Sequence, residues 1–205
     1  MNATADPRLP GLVAAVIAVL LSLSIFVVAT AQQGTPIGIY DNGIGDRWPA
    51  AHRNLTIVDR TGDPGWHQAI AGAVSTWEKG GSALRFTLTS GPRGCVQRRD
   101  QIEVCQATTV QISGEGAEGE QGLFVPKVGK SHDYRSAILL VCSDCEVDQD
   151  RMTVIATHEL GHALGLAHSF DPFSVMYFLG GSSQPDARDY EILRLLQGVP
   201  APARR

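Results

Sequence analysis

Beyond residue 50, apolar residues recur with the two periods that distinguish strands from helices. Alternating or β-branched stretches predict three strands, and a stretch limited by a proline predicts a short strand at a sheet edge. A continuous apolar run is typical of a central strand buried on both faces. In chain order, these five predicted strands are Asn54–Val58, Leu84–Leu88, Thr108–Ser113, Gly122–Val128 and Ala137–Cys142.

Three other segments carry the start and stop signals of helices. In the first, apolar residues follow an N-cap and a proline at 3/4 spacing, so Trp66 and Trp77 are most simply its buried stripe. The predicted helices run from Asp63-Pro64 to Gly80-Gly81, from Asp148 or Asp150 to about Leu164, and from Pro185 to Gln197.

Residues 12–31 form an uncharged run of twenty residues. The run ends in Ala29-Thr30-Ala31, a small-x-small site that a signal peptidase cuts, yet twenty helical residues also span a bilayer core of about 30 Å. A cleaved signal peptide and a retained anchor both stay open, whereas a buried core helix would need a polar face that the run lacks. We therefore predict a signal peptide or N-terminal membrane anchor (1–31), a lead-in (32–50), a folded domain (51–198) and a tail (199–205), with everything after residue 31 outside the cytoplasm.

Composition excludes some classes of function. The 205 residues carry 17 Lys and Arg against 21 Asp and Glu, which gives a formal net charge of −4. A nucleic-acid binder would need an excess of basic residues to neutralise phosphates. With 43% apolar and 19% charged residues, the composition indicates one globular domain, which we expect to be a monomer.

The four cysteines are an even number in a chain predicted to be exported, which favours disulfides. Three pairings are open. Cys95 with Cys105 is favoured, because these two flank a segment that suits a hairpin or a loop, and Cys142 with Cys145 then remains. A four-cysteine zinc site is the weaker interpretation, since the first pair lacks the short spacing of zinc ligands.

The candidate chemistry lies in His158-Glu-Leu-Gly-His162-Ala-Leu-Gly165-Leu-Ala-His168. On a helix, His158 and His162 lie one turn apart on one face and can bind one cation. Glu159 can lie beside that cation without binding it, which suits a general base acting on water. Gly165 can end the helix in a left-handed conformation, so that the chain turns back and brings His168 in as a third ligand. Three imidazoles leave one position of a tetrahedral zinc for water.

Other titratable residues carry weaker signals. A solvated or hydrogen-bonded histidine is the simpler interpretation of each isolated histidine: His52, His67 and His132. Carboxylates on a glycine-rich loop can collect calcium, although their spacing matches no known calcium loop and a solvated loop is simpler. These carboxylates are Glu115, Glu118 and Glu120.

The segment 158–168 resembles the HExxHxxGxxH signature of the metzincin zinc endopeptidases. Ser174-Val-Met176-Tyr177 resembles the methionine turn of that family, and its spacing and its ending in Met-Tyr are closest to the matrixin branch, the matrix metalloprotease type. The segment around Asp189 is similar to the matrixin closing helix, in which an aspartate anchors the turn. The resemblance implies an α+β fold: a twisted mixed β-sheet with a backing helix and an active-site helix, above a small C-terminal subdomain that carries the turn.

The resemblance also implies roles for single residues. His158, His162 and His168 would bind one zinc ion, Glu159 would be the catalytic base, and Met176 would support the site from beneath. In metzincins an edge strand pairs with an extended substrate, and residues after the methionine turn shape the main specificity pocket. By position, the strand residues are Gly122, Leu123 and Phe124, and the pocket residues are Tyr177, Phe178 and Leu179, although burial in the lower core is the alternative for the last three.

One departure from the family concerns latency. Matrix metalloproteases carry a propeptide cysteine in a PRCG-type motif, whereas this chain has Pro92-Arg-Gly-Cys95, with the last two residues swapped. We interpret this segment as a loop.

The expected function is that of an exported zinc endopeptidase, secreted or anchored through residues 12–31, that hydrolyses protein or peptide substrates. Two alternatives stay open: an exported zinc-containing binding or adhesion domain without turnover, and a metal-dependent amidase acting on non-protein substrates.

Overall fold

The computed structural model of the protein describes residues 46–49, 52–80, 83–114, 121–131 and 133–198. The predicted signal or anchor segment 12–31, the acidic loop 115–120 and His132 lie outside these ranges. Within them, no helix is both long enough and apolar enough to cross a bilayer.

Five strands form one mixed sheet in the described part of the chain, in the order β2-β1-β3-β5-β4. Strands β2, β1, β3 and β5 all run parallel, whereas β4 pairs antiparallel with β5. Strand β4 therefore lies at one edge of the sheet, as its proline predicted, and β5 lies inside. The strands are β1 Asn54–Asp59, β2 Arg85–Ser90, β3 Gln101–Ala107, β4 Gly122–Val128 and β5 Tyr134–Cys142.

The three predicted helices are confirmed, and each begins at an aspartate N-cap. Asp63 accepts hydrogen bonds from two backbone N–H groups of the first helical turn, Asp148 accepts one, and Asp186 forms a capping box with Asp189. The helices are α1 Pro64–Lys79, α2 Thr109–Gly114, α3 Gln149–Ala163 and α4 Ala187–Leu196.

The prediction of a strand over Thr108–Ser113 is wrong, because most of this segment forms the short helix α2. Its alternation of apolar residues does not reflect a buried face: Val110 is 78% exposed while Ile112 is buried. The helix start is fixed from outside the segment, where the Asp144 carboxylate accepts the backbone N–H of Thr109 at 2.8 Å. The third strand lies just before it, as β3.

The hydrophobic core lies between one face of the sheet and the helices α1 and α3. Inward residues of the three central strands pack there against Trp66, Trp77 and Leu160, which are all fully buried. Truncating a tryptophan in such a core costs about 3–5 kcal/mol. The backing helix and the sheet thus give α3, which carries the candidate site, a rigid support.

The loop between β2 and β3 covers the opposite face. Since β2 and β3 both run parallel to β1, residues 91–100 must return along the sheet, so the hairpin interpretation is wrong and the loop interpretation is right. The Cys95–Cys105 disulfide ties this loop to β3. Beneath it, the buried Arg60 guanidinium pairs with the buried Glu103 carboxylate and donates to the Pro92 carbonyl.

Candidate metal centre

The three histidines of the motif converge on one point. In the described part of the chain, His158, His162 and His168 form the one cluster of three ligand-type side chains whose ligand atoms all lie within 4.8 Å of one another. Their ring centroids are 4.7–5.2 Å apart. The first two come from successive turns of α3, as their spacing predicted.

A left-handed glycine brings the third histidine to the other two. Helix α3 ends at Ala163 with Leu164 as its C-cap, and Gly165 has φ 102°, which only glycine adopts without strain. The Leu166 N–H then donates to the Gly161 carbonyl at 3.1 Å, which closes the last turn. The chain reverses here and runs back to His168.

Backbone carbonyls fix the tautomers of the first two histidines. His158 Nδ1 donates to the Val175 carbonyl and His162 Nδ1 to the Leu166 carbonyl, both at 2.8 Å. A carbonyl only accepts, so Nδ1 carries the proton and each neutral ring directs a lone pair from Nε2. These two Nε2 atoms face each other at 3.1 Å.

Two facing lone pairs at this distance need a cation or a proton between them. Burial lowers the pKa of His158 to about 4, helped by the nearby His168 and Arg151 and opposed by the Val175 hydrogen bond. Burial likewise lowers the pKa of His162 well below 6.5. Neither ring is therefore protonated at neutral pH, and the donor set of neutral imidazoles fits zinc.

The turn Ser174–Tyr177 lies against α3 beneath the three histidines. Met176 is buried, and a Cβ placed on Gly161 would run into its sulfur and would lie 2.9 Å from Cζ2 of Trp77. The glycine inside the motif thus lets the turn pack directly on the helix. The Val175 carbonyl in this turn is also the acceptor for His158, so the turn orients a candidate metal ligand.

Asp189 on α4 anchors that turn. Its carboxylate accepts the Ser174 hydroxyl at 2.7 Å, the Val175 N–H at 3.2 Å and the Asp186 N–H at 3.0 Å. Burial raises the pKa of the Asp189 carboxyl above its ordinary value, and the hydrogen bonds offset part of that shift. The resemblance alone pointed to this aspartate, since its partners lie about fifteen residues away in the chain.

The side chain of Glu159, a residue of α3, faces the start of β4. It is only 4% exposed, although glutamate is rarely buried in proteins. Its carboxyl group lies directly against the backbone of Gly122. The predicted base and the predicted edge strand are therefore neighbours.

The side chains of β4 divide between two environments. The Phe124 ring stacks on His162, with centroids 6.3 Å apart and an interplanar angle of 19°. Leu123 points to the other face of the sheet, where it packs with Ala107 and Cys142. Of the three strand residues that the sequence singled out, Gly122 and Phe124 face the candidate site.

The three residues after Met176 are not buried in the lower core. Tyr177 is half-buried, Phe178 is 39% exposed and Leu179 is 70% exposed. Sequence reasoning missed Phe170 and Phe173, which lie between His168 and the turn and are also exposed. Phe170 contacts Phe178 edge to face at 5.8 Å. We call Phe170, Phe173, Phe178 and Leu179 the apolar rim.

Two tryptophans hold the backbone of α3. The Trp77 indole N–H donates to the Thr157 carbonyl at 2.9 Å, next to the first ligand. The Trp48 indole N–H donates to the Ala163 carbonyl at 2.8 Å, next to the second ligand. Trp48 belongs to the predicted lead-in and was not expected to contact the site.

The cysteines and the isolated histidines His52 and His67 were also the subject of predictions. All four cysteines are paired, Cys95 with Cys105 and Cys142 with Cys145, as the favoured pairing predicted. His67 Nδ1 is hydrogen-bonded to the Asp59 carboxylate at 2.8 Å, in line with the simpler interpretation. His52 Nδ1 lies 3.4 Å from the Asp100 carboxylate but is buried without a hydrogen-bond partner in the described part of the chain, so for this residue the simpler interpretation stays a prediction.

Known proteins resemble the chain over the segment that carries this geometry. Matrix metalloproteinase-16 of Homo sapiens is 28% identical over 144 residues, which are 64% of this chain and 23% of the relative. Matrilysin of Felis catus is 57% identical over 44 residues, 22% of this chain and 15% of the relative. The chain therefore spans less than a quarter of the length of either relative. The solved structure of myroilysin superposes with a TM-score of 0.48 at 14% identity, over 74% of this chain and 82% of the other.

The matrixin family model matches residues 63–189. The match includes α1, the strands β2 to β5, the three histidines, the turn and Asp189, whereas β1 lies before it. It covers 127 of the 205 residues (189 − 63 + 1), which is more than half of the sequence. The chain belongs to the matrixin family of metzincin zinc metalloproteases.

Proposed function

We propose that the protein is a zinc-dependent endopeptidase in which His158, His162 and His168 hold the metal and Glu159 is the general base. The observation that carries this proposal is the facing pair of Nε2 lone pairs, 3.1 Å apart, on a helix where a buried glutamate directly follows the first histidine. A structural histidine cluster would not need a carboxylate at that position.

When bound, zinc lowers the pKa of a coordinated water and polarises the carbonyl of the peptide bond to be cut. The protein's own residues do the rest. Glu159 accepts a proton from the attacking water and then delivers it to the leaving amine as the C–N bond breaks. Its burial keeps bulk water from competing for that proton, while the Nδ1 hydrogen bonds of His158 and His162 keep their Nε2 lone pairs available.

The substrate backbone would add to the sheet at β4. Among the described residues this strand pairs with β5 along one edge only, so its outer N–H and C=O groups are positioned to bind an extended peptide. Main-chain hydrogen bonds do not distinguish one substrate side chain from another, so selectivity for substrates has to come from a pocket. Tyr177 and the apolar rim favour a large apolar residue just after the cut bond, because they would bury its methylenes.

We further propose that the protein acts outside the cytoplasm, secreted or anchored through residues 12–31, as a monomer. The paired state of all four cysteines supports export, since disulfides persist in oxidising compartments. Its substrates would then be extracellular or surface proteins or peptides.

Glu159→Ala tests the mechanism. The variant should keep its fold and bind one zinc per chain, because Glu159 is not a ligand, yet its peptidase rate should fall by about 10³-fold or more. Zinc content, circular dichroism and cleavage of a mixed peptide library are measured on both chains. The matched control is Glu191→Ala, an exposed glutamate on α4, which should leave the rate unchanged.

The library also separates the two alternative functions. A chain that binds zinc but cleaves no peptide, with or without Glu159, would be a binding domain. Hydrolysis of non-peptide amides with no cleavage of peptides would identify an amidase. Near-normal activity of Glu159→Ala would refute the assigned base.

A further inference from the structure

Gly122 at the start of β4 lies where any side chain would meet the proposed base. A Cβ placed on Gly122 would lie 2.7 Å from both Cγ and Oε1 of Glu159 and 2.9 Å from its Cδ. Real Cβ contacts are longer, so one of the two groups would have to move. The Glu159 carboxyl group therefore occupies the space that every residue other than glycine would fill.

Hydrogen bonds on both sides hold the backbone of Gln121 and Gly122 in place. The Gln121 carbonyl accepts a hydrogen bond from the Cys142 N–H at 2.9 Å, and the Gln121 side-chain oxygen accepts one from Nε of Arg151 at 2.8 Å. Gly122 itself pairs with Val141 in the antiparallel ladder. The first contact ties this end of β4 to β5, and the second ties it to α3, the helix that carries Glu159. In a Gly122 variant the glutamate side chain would move, because it is the softer partner.

We propose that Gly122 is a positioning residue: the absence of its side chain sets the place of the Glu159 carboxylate between the edge strand and the metal ligands. This inference rests on the proposed role of Glu159 as base. Gly122 would connect two functions of β4, because the residue that leaves room for the base is also the first residue of the strand that would bind the substrate backbone. A shift of about 1 Å in a catalytic group can lower a rate by about 100-fold.

The experiment is a double-mutant cycle on the full, zinc-loaded chain. Gly122→Ala should lower kcat at least 10-fold with KM changed less than about 3-fold, while zinc content stays at one per chain. In the Glu159→Ala background the side chain ends at Cβ and lacks the Cγ, Cδ and Oε1 atoms that a Cβ on residue 122 would meet, so Gly122→Ala should lower the residual kcat by less than about 3-fold. Equal losses in the two backgrounds, or a Gly122→Ala chain with normal kcat, would overturn the proposal.

Thermal unfolding of the metal-free chain gives a readout that does not depend on activity. Displacing the buried glutamate from its rotamer should lower the Tm of Gly122→Ala by about 2–5 °C, whereas in the Glu159→Ala background the same change should cost less than about 1 °C. If Gly122→Ala does not fold alone, folding of the double variant supports the contact, and failure of both chains contradicts it. A wild-type chain without peptidase activity would refute the proposed function, and this cycle would still decide whether Gly122 positions Glu159.

Gly72→Ala on α1 is the matched control. A Cβ there would lie 3.5 Å from Cγ2 of Thr153, an ordinary contact. Alanine also favours a helix interior over glycine. This variant should therefore keep wild-type kcat and lose no thermal stability.

Discussion

The aspartate that anchors the turn beneath the metal ligands offers a quantitative test of the fold. Asp189 is 3% exposed and accepts hydrogen bonds from Ser174, Val175 and Asp186. Asp189→Ala leaves three donors without this acceptor. An orphaned buried donor costs about 1–3 kcal/mol, and the lower half of that range applies because backbone at a turn can relax, which gives about 3–6 kcal/mol in total for the three donors.

Removal of the charge returns part of this free energy. The pKa of the Asp189 carboxyl is raised chiefly by burial, so the folded chain carries a desolvation cost that the variant no longer has. This return places the net loss at the lower end of that range, about 3 kcal/mol. For a domain of this size, that loss corresponds to a fall in Tm of about 6–12 °C. Asp189→Asn keeps one acceptor oxygen and should lose about half as much.

The assay is thermal unfolding followed by circular dichroism, with zinc content measured in parallel. Glu191→Ala, an exposed neighbour on the same helix, is the control and should shift Tm by less than about 2 °C. Zinc affinity should fall with Asp189→Ala, because the released turn carries the carbonyl that orients His158. A shift for Asp189→Ala no larger than that of the control would refute the idea that this carboxylate holds the turn.

The same side chain gives a pH dependence of known sign. A carboxyl whose folded pKa is raised contributes stability that is fully present below its unfolded value, about 3.8, and is lost as the pH rises through the folded value. Asp189→Asn does not titrate at this position. The difference in free energy of unfolding between wild type and Asp189→Asn should therefore narrow as the pH rises from 3.8 towards neutrality.

The apolar rim, the turn at Gly165 and the acidic loop 115–120 provide three more tests. Phe178→Ser should lower kcat/KM about 10-fold for peptides with a large apolar residue after the cut bond but not for peptides with alanine there, and equal losses in paired cleavage assays would remove Phe178 from the pocket. Gly165→Ala should lose more thermal stability than Gly94→Ala, since both glycines have positive φ but only at Gly165 would a Cβ lie 2.7 Å from the Asp46 carbonyl oxygen. Millimolar calcium should leave the Tm unchanged, and a clear rise would instead support a calcium site in the acidic loop.

The convergence of the three histidines could be predicted because their geometry is local. A spacing of four residues on a helix places His158 and His162 together whatever surrounds them. A left-handed glycine does the same for His168 over the next turn. Most strands and helices were recovered for a similar reason, since period and capping are properties of neighbouring residues.

Contacts between distant segments left no such pattern. Thr108–Ser113 was predicted to be a strand. Most of it is helical because the Asp144 carboxylate, 35 residues further along the chain, accepts the Thr109 N–H at the helix start. Trp48 gave no sign that it binds the end of α3, 115 residues further on. The contact between Gly122 and Glu159 involves a residue without a side chain, so no hydrophobic or polar pattern could reveal it.

The position of Trp48 sets a limit on where the protein can be shortened. The Arg47 carbonyl accepts the Tyr134 N–H at 2.8 Å, and the Trp48 indole binds the helix that carries the metal ligands. A cut after Trp48 would release a buried indole beside His162, whereas a cut before Asp46 would leave both contacts in place. Fourteen residues (32–45) separate this point from the apolar run 12–31, and fourteen residues span at most about 50 Å. In a membrane-anchored form this segment would hold Asp46 within about 50 Å of the bilayer, while a form cleaved after Ala31 would carry the same site away from it.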